Sequence, residues 1–333
     1  KILQIEDFSI LSEVIENRIF ELNLDICRNS KMPSVRTKVH RPNLRSGKFR
    51  VVTVQQLLPR YEDFHITDVL LERPKIRIEM REHLLSICNI IEKTLSAKSE
   101  TENQGKVLAQ ADLIVFSEVT VHKDDEDILK ALAFRTNSII FAGFVFLNEE
   151  DKLVNKARWI VPTFNDDRLS WKIRDQGKHN LTPFEIEAGI ISFRPCQHII
   201  EIHGYKDGPF AISGSVCFDA TDINIASDLR NKTDMFIISA FNKDVNTFNN
   251  MASSLQWHMF QHIVLSNTGQ FGGSSIQAPY KEQHKKLISH THGVSQIAIS
   301  TADVDLAAFT RKISKHPEIK AAPAGYSRNK GKK

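Results

Sequence analysis

Three stretches far apart in the chain carry side chains suited to one kind of chemistry. Ala111-Asp112-Leu113-Ile114-Val115-Phe116-Ser117-Glu118 ends an apolar run in a carboxylate. Lys178-His179-Asn180-Leu181-Thr182-Pro183-Phe184-Glu185 opens a polar stretch with an ammonium. Gly214-Ser215-Val216-Cys217-Phe218-Asp219 sets a thiol just after an apolar run. A nucleophilic sulfur, a general base and a fixed cation are the groups needed to open an acyl or nitrile carbon–nitrogen bond through a thioester. Each also has a plainer reading. A lone cysteine beside Val and Phe is usually a buried thiol, and a lysine in a polar loop is usually a surface lysine. Glu118 alone would pass for an exposed strand-end glutamate.

The elements that would position these groups alternate along the chain. Residues 8–27 carry Ile10, Leu11, Val14, Ile15, Ile19, Leu22 and Ile26 at helical spacing. The following basic stretch contains Pro33, Pro42 and Gly47 and reads as an extended linker, with a boundary near Gly47. The β-branched run Phe49–Val54 predicts a strand. A helix is expected over 78–98, a strand over 112–117 ending at Glu118, and a helix over 124–135. Strands 138–147 and 153–161 meet at the turn Asn148–Asp151. Strands 197–203 and 209–217 lead to Cys217. Helix 222–231, strand 234–240, helix 246–260 and strand 261–266 follow, with short strands finishing near 300. Such alternation predicts an α/β fold. The division expected is 1–47, N-terminal helix plus basic linker; 48–310, the main domain; 311–333, a basic, disordered tail rich in Pro, Gly, Ala and Lys. A carboxylate at the carboxyl end of a buried strand faces the crevice where α/β proteins bind ligands.

The ordered set of motifs resembles the nitrilase, or carbon–nitrogen hydrolase, superfamily. There an Asp-Leu strand closes on Glu, a Lys opens a run ending in Pro-Phe-x-Glu, and a Cys follows Gly-x-x and precedes an aromatic and an acidic residue. Val51–Gln55 is similar to the family's opening strand and Asp234–Ala240 to the strand after the nucleophile's helix. Val264–Gly269 with Gly272-Gly273-Ser274-Ser275 is similar to its late glycine-rich loop. The resemblance spans about residues 48–308. It implies an α-β-β-α sandwich with Glu118 as general base, Lys178 as oxyanion stabiliser and Cys217 as nucleophile. Glu185 would orient the lysine and the substrate, and the backbone N–H of Phe218 would be a second oxyanion donor. It further implies hydrolysis of a non-peptide carbon–nitrogen bond, with Cys217-Phe218-Asp219 pointing to an amide rather than a nitrile, and a homo-oligomer. Ser117 departs from the family, standing where many members have proline. Gln256-Trp257-His258 replaces a frequent Arg-Ala-x-Glu, and Ala278-Pro279-Tyr280 is a loose match. These departures bear on substrate preference. Transfer of the acyl group to an amine instead of water would use the same residues.

With 333 residues, 41% hydrophobic and 25% charged, the composition is that of a globular protein with a large core. Cys27, Cys88, Cys196 and Cys217 show neither C-x-x-C nor framework spacing, so disulfides and structural zinc are not expected, and a reducing, cytoplasmic setting is. No apolar run reaches the ~20 residues of a membrane span. His258 and His262 lack the glutamate of H-E-x-x-H, His290 and His292 merely alternate, and no nucleotide-binding fingerprint is present; no metal or cofactor is expected. Charge is uneven. Residues 28–50 hold eight Lys/Arg and no Asp/Glu, and 311–333 hold eight against Glu318 alone. These segments, and a chain opening on Lys1, support a second reading: a module cut from a longer polypeptide and serving assembly or regulation. Nitrilase-like domains occur as fusions, including behind bacterial reverse transcriptases implicated in phage defence. The basic segments would then face nucleic acid or a fused polymerase domain.

Overall fold

The computed structural model describes residues 11–15, 18, 24–27, 29–41, 48–102, 110–165, 168–309 and 317–326. Two mixed sheets face each other. The first runs in the order Leu24–Ile26, Pro33–His40, Gln197–His203, Phe210–Val216, Met235–Ser239, His262–Ser266, Ser274–Gln277, Leu287–Thr291. The second runs Ala298–Val304, Phe49–Gln55, Leu113–Phe116, Ile139–Gly143, Lys156–Asn165, Arg168–Gly177. A small third sheet joins Ile190–Ile191, Lys152–Val154 and Leu147–Glu149 beside the main pair.

The two-residue period of a strand sorts the apolar side chains of the second sheet between two cores. Val51, Leu113, Val115, Phe141 and Trp159 share a core with Ile199, Ile212, Ile237 and Val264 of the first sheet. Their neighbours Val52, Ile114, Phe116, Ile140 and Ile160 pack instead under helices. Leu84, Ile87, Ile91 and Leu95 of helix Pro74–Glu102 cover that face, with Ile128, Leu129 and Leu132 of helix Glu126–Arg135. Strands covered on both faces need near-continuous apolar runs, which Leu113–Phe116 supplies. In the first sheet the parallel strands Phe210–Val216, Met235–Ser239 and His262–Ser266 are joined through helices Ile223–Leu229 and Val245–His258. Right-handed crossovers put both helices on one face, and the second sheet takes the other. The chain is therefore an α-β-β-α sandwich.

The serines at the strand ends tie the two sheets together. Ser239 Oγ donates to Phe116 O at 2.9 Å, and Ser266 Oγ donates to Val54 O at 2.8 Å. Within the second sheet, Ser117 Oγ donates to the same Val54 carbonyl at 3.2 Å.

Several expectations need correction. The stretch read as a linker holds the strand Pro33–His40, paired in parallel with Gln197–His203 from Ser34↔Gln197 to His40↔His203. Thr37 and Val39 are buried while Lys38 and His40 are exposed, so a half-buried alternation lies under the basic composition. Arg36 meets Glu201 at 3.3 Å. The sheet thus begins before the boundary expected near Gly47. In the segment read as one helix over 8–27, residues 11–15 are helical but Leu24–Ile26 is a strand; most of the rest lies outside the described residues. The tail is ordered over 317–326. Ile319 is buried beside Phe260 and Phe309, Trp257 Nε1 donates to Ala321 O at 3.0 Å, and Lys320 N donates to Pro279 O at 3.0 Å. Residues 311–316 and 327–333 lie outside the described residues. Strand Arg168–Gly177 was not foreseen, although Leu169, Trp171 and Ile173 alternate with Ser170, Lys172 and Arg174.

Gly214, on the first sheet, packs against Phe141 of the second. A Cβ there would sit 2.6 Å from the Phe141 ring, itself packed on Trp159 with centroids 4.3 Å apart. Gly214→Ala should therefore destabilise the chain by ~1–3 kcal/mol through overpacking. The expected readout is a lower urea midpoint at unchanged m-value.

Candidate active site

The carboxyl ends of strands from both sheets open onto one crevice. Leu113–Phe116 delivers Glu118, and Phe210–Val216 delivers Cys217. The hairpin of Lys156–Asn165 and Arg168–Gly177 pairs Lys156 with Gly177. One step further, Asn155 and Lys178 face each other, with Lys178 N donating to Asn155 O at 3.0 Å. The backbone closes tightly around Glu118. A Cβ on Gly143 would lie 2.3 Å from the Glu118 Cα, so the neighbouring strand approaches this close only with glycine.

Glu118, Lys178 and Glu185 form a buried ion triad. Their residues are 3%, 1% and 3% exposed. Lys178 Nζ donates to Glu118 Oε1 at 2.9 Å and to Glu185 Oε2 at 2.7 Å. Asn155 Nδ2 spans the same two carboxylates, donating to Glu118 Oε1 at 2.8 Å and Glu185 Oε1 at 2.6 Å. The second Glu118 oxygen accepts from Phe241 N–H at 3.0 Å. Glu185 is the third residue of the short helix Pro183–Glu187 and completes a capping box with Thr182, whose N–H donates to Oε2 at 2.8 Å. Local capping thus fixes the second carboxylate before the lysine reaches it.

Cys217 is 2% exposed and adopts φ of 43°, in the left-handed region that L-residues seldom occupy. It begins the 3-10 turn Cys217–Thr221. Its thiol lies beside the Glu118 carboxylate and the Phe241 N–H, both of which act on its titration. Phe218, the next residue of that turn, is exposed in its side chain. Asp219 ties the turn to the lysine loop. It accepts from His179 N at 2.9 Å, Asn180 N at 2.6 Å and Arg194 Nη1 at 3.2 Å.

Burial and charge set the protonation states. Desolvation lifts the Glu118 carboxyl above the usual range; Lys178 opposes this, and the nearby Glu185 charge adds to it. Desolvation also pushes the Cys217 thiol well up, and the Glu118 charge raises it further against the pull of Lys178. For Lys178, burial favours the neutral amine, but Glu118, Cys217 and Glu185 together outweigh it and hold the ammonium above its ordinary range. Glu185 is desolvated as well, yet Lys178 and the donors Thr182 and Asn155 hold it low. The resting site therefore holds an ammonium, an ionised Glu185 and a neutral thiol against a carboxyl able to take its proton.

A cavity of about 380 Å³ opens above these groups. Glu118, Lys178, Glu185, Asn155 and Cys217 line it, with Tyr61, Phe64, Phe146, Phe184, Phe241 and Phe271 forming an aromatic wall. Glu118, Lys178, Cys217 and Glu185, the four side chains singled out from sequence, thus share one cavity. No sequence pattern announces Asn155, a single polar residue between two strands, or the Phe241 N–H, a backbone group. Asp219 stood in the cysteine motif, but its clamp on residues 179–180 joins distant positions. Of the two histidine pairs weighed for metal, His258 is exposed and His262 fully buried. Cys27, Cys88, Cys196 and Cys217 form no disulfide with one another. No helix among the described residues is long and apolar enough to cross a membrane.

No family model matches the sequence, and comparison with curated proteins finds no relative. Solved structures do match. A CN-hydrolase superfamily protein from Xanthomonas campestris aligns with TM-score 0.56 and 14% identity over 81% of this chain and 95% of its own. A branch 10 member of the nitrilase superfamily from Saccharomyces cerevisiae aligns with TM-score 0.55 and 15% identity over 81% and 96%. A nitrilase-superfamily amidase from Nesterenkonia aligns with TM-score 0.52 and 12% identity over 80% and 94%. With its two facing mixed sheets and outer helices, this chain has the fold of the nitrilase, or carbon–nitrogen hydrolase, superfamily.

Proposed function

We propose that this chain hydrolyses a non-peptide carbon–nitrogen bond, an amide in preference to a nitrile, through a thioester on Cys217. The observation that carries the reading is the Lys178 ammonium held between Glu118 and Glu185, with the Cys217 thiol beside Glu118 in the lining of one cavity. A structural ion pair would need no thiol beside it and no cavity above it. In one structure of the Nesterenkonia amidase the acetamide moiety of fluoroacetamide is covalently added at the active-site cysteine. The same chemistry suits Cys217.

The steps follow from the protonation states. Glu118 takes the thiol proton as Sγ attacks the carbonyl carbon, forming the C–S bond and placing negative charge on oxygen. Lys178 and the N–H of Phe218, near the start of the 3-10 turn, stabilise that oxyanion. The C–N bond then breaks, and Glu118 returns its proton to the departing nitrogen, which leaves as ammonia or an amine. Water attacks the thioester with its proton passing to Glu118. The C–S bond breaks, the thiol is re-formed and a carboxylic acid leaves. A thiolate at rest would add a third negative charge beside a single ammonium, so proton removal is coupled to attack. Asn155 acts as a positioning residue: its amide fixes the Glu118 and Glu185 carboxylates relative to Lys178.

Ammonia release from short amides, N-carbamoyl compounds and nitriles tests the reading. Cys217→Ala should abolish turnover, and Glu118→Gln should lower kcat by ~10²–10⁴; activity surviving Cys217→Ala would remove the mechanism. The pH profile should carry the sign of burial. Activity requires ionised Glu118, so the acid limb should lie above the ordinary glutamate value of 4.5, and the Lys178 ammonium should not be lost below 10.5. Asn155→Leu should cost about 1–3 kcal/mol of stability. It should also move the acid limb further up, because hydrogen bonds to the charged carboxylates favour ionisation and their loss disfavours it. A lowered kcat with an unmoved acid limb would make Asn155 structural only.

A further inference from the structure

The cavity is built in three zones. Its floor is the buried reactive set. Its middle is aromatic, from the buried Phe64 and Phe146 to the half-buried Phe184, Phe241 and Phe271. Phe64 organises this collar, meeting Phe146, Phe184 and Phe241 edge-on with centroids 5.8, 6.4 and 5.9 Å away. Its rim is polar: Tyr61 and Lys243 are exposed, and Lys243 Nζ lies 5.6 Å from the Tyr61 ring centroid.

Most polar groups below the rim are engaged with one another, the buried Asn155 Oδ1 being an exception. Glu118, Lys178, Glu185 and Asn155 bind one another, and the Thr182 hydroxyl donates to Glu185 Oε2 at 2.9 Å. Asn242 is held by Asn267, and its Oδ1 accepts from Asp244 N–H at 2.6 Å. A hydroxylated or charged acyl chain would lose its water in the aromatic zone and find few partners there. A methyl group would leave that zone unfilled. Flat rings fit it, because edge-on and offset contacts with the collar add to the burial of apolar area. An anionic end would then reach Lys243 at the rim, where the wall carries a cation.

Resting on the hydrolase reading above, we infer that the preferred substrate is a primary amide whose acyl chain carries an aromatic ring and ends in a carboxylate. The cavity volume of about 380 Å³ suits a molecule of that size, near the lower end of the about 300–1,000 Å³ typical of ligand sites.

The test is kcat/KM for ammonia release by the full chain from four amides: acetamide, succinamate, 3-phenylpropionamide and 3-(4-carboxyphenyl)propionamide. The phenyl compound should exceed acetamide by about tenfold or more. The added carboxylate should raise kcat/KM by a further two- to fivefold or so, the size of an exposed ion pair. Lys243→Met should remove that second gain and leave 3-phenylpropionamide within about twofold. Phe271→Ala, at a half-buried position, should lower kcat/KM for the two phenyl compounds relative to acetamide. Acetamide or succinamate turning over as fast as the phenyl compounds would overturn the inference and leave the hydrolase reading standing. Equal loss on both phenyl compounds in Lys243→Met would remove the carboxylate from the assignment. Ammonia release from none of the four, with no acyl group captured on Cys217 from any other amide, would overturn the hydrolase reading and this inference with it.

Discussion

One buried ammonium holds this site in place. Lys178 reaches two carboxylates at 2.9 and 2.7 Å, and all three side chains are almost fully buried. Without it, Glu118 and Glu185 would face each other as like charges and one would have to take a proton. Losing one partner of a buried ion pair costs about 3–5 kcal/mol, because the other charge is left unpaired. The triad carries one positive charge against two carboxylates, so it is already short of cation. Burial first, and that shortage with it, keeps Cys217 a thiol and makes Glu118 the place for its proton.

The fold exists around that demand. Two sheets are needed because the carboxylate and the thiol come from different ones, and both must end on the same crevice. Serine hydroxyls lace the strand ends together just behind Glu118. Gly143 lets the backbone close on Glu118. Asp219 ties the nucleophile's turn to the loop after Lys178. The left-handed conformation of Cys217 is held by this surrounding network, as strain at a functional position has to be.

Much of this was legible in the sequence, for physical reasons. Leu113–Phe116, Met235–Ser239 and His262–Ser266 are short, continuous apolar runs, as strands buried on both faces must be. Helices Pro74–Glu102 and Val245–His258 carry apolar residues at helical spacing. Glu118, Lys178, Glu185 and Cys217 were legible only as an ordered set. The strand Pro33–His40 was hidden because its solvent-facing residues are basic and only alternate positions are buried. The order of 317–326 was hidden because it depends on a partner surface, around Phe260, Phe309 and Trp257, that no local pattern announces. Asn155 and the aromatic collar were hidden for the same reason: their roles come from residues brought together across the chain.

The most direct measurement is rapid-quench mass spectrometry of the full chain during turnover of an amide, followed by peptide mapping. A transient mass increase equal to the amide minus ammonia, on the peptide carrying Cys217 and absent from those carrying Cys27, Cys88 and Cys196, is the expected result. Ammonia released with no acyl group ever found on Cys217, or an acyl group found on another cysteine, would contradict it.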